Sequence, residues 1–149
     1  MVKKRFGYFV KFILLHVITY VLVGAIFYTL QDYEGAIATQ EYFQLWRSLD
    51  HPLIASAIIP IQIIRGGMLG LFLYPFYNTY IKKKHGWFLL FGLIYGFTAL
   101  SAMLPQFINT LVTGGSLAEL VTGPAEISVQ MLLFSLLLFT WERKKESSK

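Results

Sequence analysis

Apolar residues in this chain fall into long runs, and polar residues are confined to short blocks between them. The runs cover about 8–30, 52–80, 87–112 and 124–141, the last being the shortest. Each is close to or above the ~20 residues needed to cross a ~30 Å hydrocarbon core. The pattern predicts an all-α polytopic membrane protein. It would be a single domain over 1–149, a four-transmembrane-helix bundle with a short amphipathic helix in the first outer loop.

That loop helix is read from Ala38, Tyr42, Leu45, Trp46 and Leu49, which share one helical face, while Glu41, Gln44 and Ser48 fall elsewhere. It would lie on the membrane surface or cap the bundle by protein contacts. His51-Pro52 then opens the second run, proline being tolerated in a first turn. In the second outer loop, Ser116 and Glu119 have capping-box spacing. They predict a helix of one or two turns that Gly123-Pro124 ends, with the fourth span following.

Charge fixes the expected orientation. Lys3, Lys4, Arg5 and Lys11 flank the first run, Lys82, Lys83 and Lys84 separate the second from the third, and Arg143, Lys144, Lys145 and Lys149 follow the fourth. The other two connections hold Asp32, Glu34, Glu41, Asp50 and Glu119 against a single Arg47. Basic segments stay inside, so both termini are expected to be cytoplasmic in a multi-pass protein of the cell membrane. A signal peptide cleaved after Ala36-Ile-Ala38 competes with the first span. Its apolar core would be longer than the usual 7–15 residues, and Asp32 and Glu34 precede the site.

Composition sharpens the class. The chain is 56% hydrophobic and 14% charged, against about 25% charged in a soluble domain. The net charge of +5 does not point to nucleic acid, because eleven of the thirteen Lys and Arg adjoin span ends, where topology and lipid headgroups account for them. Membrane lipids are therefore the expected surroundings. With no cysteine, disulfides, thiolate metal sites and Cys nucleophiles are excluded. His16, His51 and His85 fall at different heights, so no metal site or other cofactor is expected. Gly-x-Ser-x-Gly, His-Glu-x-x-His and phosphate-loop motifs are absent.

The unusual chemistry lies inside the runs. Arg65 is a permanent cation within the second, and such a charge needs a partner or a purpose. Gln62 shares its helical face, as Gln130 shares that of Glu126. Arg65 precedes Tyr80 by fifteen residues, and Glu126 precedes Trp141 by fifteen. Both would stand roughly 22 Å from the inner interface, with Ser101 at a similar height. The expectation is an Arg65–Glu126 ion pair hydrogen-bonded by Gln62, Gln130 and Ser101. Such a pair either fixes helix docking or forms a site for an anion, a lipid headgroup or a transferred proton. Thr98, Ser101, Pro105 and Asn109 read as a packing and kink face. Gly66 with Gly70, and Gly92 with Gly96, give Gly-x-x-x-Gly spacings that allow close helix approach within or between chains.

The strings Pro60-Ile-Gln62-Ile-Ile-Arg65-Gly66 and Gly123-Pro124-Ala-Glu126-Ile-Ser-Val-Gln130 resemble segments of a family of small bacterial four-span membrane proteins of uncharacterised function. The likeness runs loosely from the second span to Trp141-Glu142, with the 113–122 loop departing from it, and implies no activity. The chain does not resemble the small multidrug transporters or fluoride channels at their motifs. Two functions remain in view. One is a non-catalytic membrane component that scaffolds, anchors or regulates a protein partner. The other is a transporter or channel for a small anion or lipid-like solute, expected as a homodimer. An intramembrane enzyme using Glu126 is disfavoured, because no nucleophile or metal site accompanies it.

Overall fold

The computed structural model describes residues 2–30, 52–100, 104, 108, 112, 114 and 117–147. All regular structure among them is helical. α1 is Val2–Leu30, α2 is Pro52–Leu73, α3 is Tyr77–Lys82, α4 is Gly86–Tyr95 and α5 is Leu117–Ser147. A 3-10 turn, Tyr74–Phe76, joins α2 to α3, and a π-helical turn, Gly96–Leu100, follows α4. Helices are what an apolar chain must form in lipid, where each backbone donor needs an internal acceptor.

Three helical stretches are long and apolar enough to cross a membrane: Phe6–Leu30, Ser56–Lys82 and Ala125–Lys144. The chain is a small, helical, multi-pass membrane protein. The expected count of four spans is corrected to three among the described residues. Where the sequence predicts a span over 87–112, the described apolar helix is Gly86–Ala99. Its 14 residues reach only about 21 Å, short of a ~30 Å core. The α-helical hydrogen-bond pattern also gives way to the wider π turn at Gly96. Beyond Leu100 most of the expected span lies outside the described residues.

Two other boundaries differ from expectation. The second span is interrupted at the 3-10 turn, where Pro75 occupies the first turn. Proline lacks the N–H that a continuous α-helix needs there. In contrast, Gly123-Pro124 ends nothing, since α5 runs through both as one helix of 31 residues. It begins at Leu117, directly after the expected cap Ser116, which itself lies outside the described residues. So does the expected amphipathic helix in 38–49.

α1 and α5 are the inner pair, α1 packing on α2 and α5 on α4. The buried α1 positions Tyr8, Phe12, Leu15, His16, Thr19 and Val23 form one stripe at helical spacing. Val10, Leu14, Ile18, Val21, Leu22 and Ile26 are exposed. An apolar outer face of this kind is suited to lipid contact. α2 packs along one flank of α1 and α5 along another, and α4 packs on α5. Tyr8 meets Tyr80 while His16 meets Gln62, so α2 runs antiparallel to α1. Lys11 meets Glu142 while Phe12 meets Phe134, so α5 does too. The beginning of α1, the Lys83–His85 turn and the end of α5 therefore gather at one end, where Arg143 Nη1 donates to the Lys84 carbonyl at 3.4 Å. α2 and α4 do not pack closely along their length, and a groove separates them.

Candidate functional site

Two polar layers cross the bundle. The first lies at the basic end. Lys11 Nζ and Glu142 Oε1 form an ion pair at 2.6 Å, and the Tyr77 hydroxyl donates to Glu142 Oε2 at 2.6 Å. Lys11 also stands 5.0 Å from the centre of the Trp141 ring. Beside them the Tyr8 and Tyr80 hydroxyls share a hydrogen bond of 2.7 Å. Tyr8 is packed edge-on against Phe9 and Tyr77. One carboxylate thus ties α1, α3 and α5 together.

Sequence reasoning missed this layer. Lys11 counts there among the flanking basic residues, and Glu142 appears only as the end of the fourth span. The available signal was the position of Lys11, which falls inside a run starting at Tyr8, one turn from its end.

The second layer is deeper and holds the residues expected to form a site. The buried His16 ring meets Gln62 across the α1–α2 seam, Nε2 standing 3.2 Å from Gln62 Oε1 in a hydrogen bond. Gly66, one turn on from Gln62, lets α1 approach. A Cβ there would stand 3.1 Å from His16 Cδ2, and one at Gly70 would stand 3.3 Å from the Phe12 ring. Tyr20 lies within Coulombic reach of both Arg65 and Glu126. His16 and Tyr20 therefore complete a layer to which sequence reasoning assigned no residue of the first span. Their spacing of four within an apolar run was the signal available.

Arg65 and Glu126 belong to this layer but do not form an ion pair with each other. The ion pair among the described residues is Lys11–Glu142. Glu126 is turned onto α1, where its Oε1 is 3.5 Å from the position a Cβ on Gly24 would take. Arg65 instead lines the groove between α2 and α4. Equal heights on two helices do not set the direction in which each side chain leaves its helix. Gln130 is buried, and its Nε2 finds no hydrogen-bond partner among the described residues. Ser101 lies outside those residues. Thr98, which also lines the groove, donates its hydroxyl to the Ile94 carbonyl at 2.7 Å.

The two glycine pairs differ. Gly66 and Gly70 are filled from outside by α1, whereas Cβ atoms on Gly92 and Gly96 would meet nothing within 4 Å. Gly66→Leu is expected to cost about 1–3 kcal/mol by overpacking against His16. Gly92→Ala and Gly96→Ala should stay within about 0.5 kcal/mol of the parent. Thermal unfolding of the three variants in detergent checks this. Equal losses at Gly66 and Gly92 would contradict the packing described.

The groove has a volume of about 680 Å³. Ile61, Ile64, Met68 and Phe72 form one wall, Ile94 and Phe97 the other, and Arg65 is its charged residue. No group of three or more His, Asp or Glu able to hold a metal ion occurs among the described residues. No family model, curated protein or solved structure matches the chain. The likeness of residues 60–66 and 123–130 to a four-span family is therefore not upheld, and the family expectation is withdrawn along with the fourth span.

Proposed function

We propose that this protein is a non-catalytic membrane component, a small helical body that scaffolds, anchors or regulates a protein partner. The supporting observation is how its buried polar side chains are used. Lys11, Glu142 and Tyr77 satisfy one another, as do Tyr8 with Tyr80 and His16 with Gln62. Polar groups spent on joining helices specify how a bundle docks. On this reading the basic end, with Lys82, Lys83, Lys84 and Arg143, faces the cytoplasm together with both termini. The open α4 face around Gly92 and Gly96 is where a second copy or another membrane helix would approach.

A photo-crosslinking residue at Phe88, exposed on α4, tests the reading in native membranes. The expected result is a discrete protein adduct that persists in Arg65→Met. Crosslinking to lipid alone would overturn it. The second reading, transport of a small anion, is favoured by Arg65, a cation inside a span with no carboxylate paired to it among the described residues. Anion flux into vesicles containing the purified protein, abolished in Arg65→Met, would replace the first reading by the second.

A further inference from the structure

The groove between α2 and α4 is not an ordinary lipid-facing surface, because a cation forms part of its wall. Tyr20 on α1 lies near Arg65 but carries no negative charge, and hydrocarbon tails alone would bring Arg65 no counter-charge either. Among the described residues no carboxylate is paired with it, Glu126 being turned onto α1 at Gly24. Apart from Thr98, the remainder of the wall is apolar. Met68, Phe72 and Phe76 follow Arg65 at helical spacing toward the basic end. From Arg65 to Phe76 is eleven residues, or roughly 16 Å. That is close to one leaflet's share, roughly 15 Å, of a ~30 Å core. Ile61 and Ile64 continue the lining on the other side of Arg65, so the groove carries one charged residue along an apolar length suited to one chain. Its volume of about 680 Å³ falls within the roughly 300–1,000 Å³ typical of ligand sites.

We propose that this groove binds a long-chain carboxylate, with the carboxylate on Arg65 and the tail lying along Met68, Phe72 and Phe76. Charge complementarity selects the head. One guanidinium matches one negative charge, and its planar fork suits the two oxygens of a carboxylate. A phosphate monoester would bring between one and two negative charges to a single cation. The Thr98 hydroxyl, on the opposite wall, already donates its proton to the Ile94 carbonyl, so Arg65 is the donor that would hold the head. The site is independent of the scaffold reading. A scaffold with an empty groove and a scaffold regulated by a fatty acid are both coherent, and protein crosslinking at Phe88 separates the two claims.

Binding of radiolabelled palmitate to the purified protein in non-ionic detergent tests the site. The expected result is saturable binding near one molecule per chain, weakened about tenfold or more in Arg65→Met. Arg65→Lys should fall between, keeping the charge without the fork. Met68→Trp, which fills the groove and leaves Arg65 in place, should also lose binding, so the test does not depend on one variant. Methyl palmitate and inorganic phosphate, each lacking half of the recognised chemistry, should compete poorly. Parental affinity in Arg65→Met would overturn the proposal. So would equal competition by the methyl ester, which would mean simple partition of a tail, or by phosphate, which would mean an anion site without a lipid.

Discussion

Glu142→Ala is expected to destabilise the protein by about 3 kcal/mol, at the lower end of the roughly 3–5 kcal/mol seen when one partner of a buried ion pair is removed. The carboxylate is held on both oxygens, by Lys11 at 2.6 Å and by the Tyr77 hydroxyl at 2.6 Å. Its side chain is 5% exposed and that of Lys11 14%. Removing it leaves an ammonium beside Trp141 with no counter-charge among the described residues and deprives Tyr77 of its acceptor. The lower end is chosen because Lys11 lies near the end of its span, where a long side chain can redirect its head toward water.

The measurement is thermal unfolding of the purified protein in detergent. A loss of that size should lower Tm by roughly 6–12 °C for a chain of this length. The double variant Lys11→Met/Glu142→Leu should recover much of the loss, because it removes both charges together. A Glu142→Ala protein as stable as the parent would show that the pair does not hold α1 against α5. A double variant no better than the single one would assign the loss to packing around Tyr77.

The limits of the sequence reading can be traced to particular residues. Hydropathy locates helices because lipid enforces them, and α1, α2 and the apolar part of α5 fall where the runs lie. Charge runs identify a common end, and Arg143 does meet the Lys84 carbonyl there. What hydropathy does not carry is rotation about the helix axis. Arg65 and Glu126 have matching heights by residue count, yet one lines the groove and the other lies against Gly24. Lys11 and Glu142 are 131 residues apart, and no local pattern joins them. His16 reaches Gln62 because α1 lies close against α2 at Gly66 and Gly70, a contact that hydropathy does not reveal. The composition of the third run concealed its π turn, since apolar residues at Gly96–Leu100 suit either helical form.

Gly86→Ala should be the other severe single substitution, at about 3 kcal/mol or more, because overpacking here meets backbone rather than a movable side chain. Gly86 is the first residue of α4 and follows a tight turn in which its N–H donates to the Lys83 carbonyl at 3.2 Å. A Cβ on Gly86 would overlap the carbonyl oxygen of Tyr80 and press on the Phe139 ring at 3.0 Å. The Phe139 ring can turn. The Tyr80 carbonyl belongs to α3, and Tyr80 is itself buried and hydrogen-bonded to Tyr8. Relief therefore requires α4 to move away from α3, which would open the turn and pull α4 from α5. Thermal unfolding should show a large loss for Gly86→Ala, while Gly92→Ala on the same helix stays near the parent. A further distinction comes from the groove, whose walls are α2 and α4. Movement of α4 should weaken palmitate binding in Gly86→Ala even at temperatures where the protein remains folded. A Gly86→Ala protein of parental stability and affinity would mean that α3 and α4 are not held as closely as the Tyr80–Gly86 approach requires.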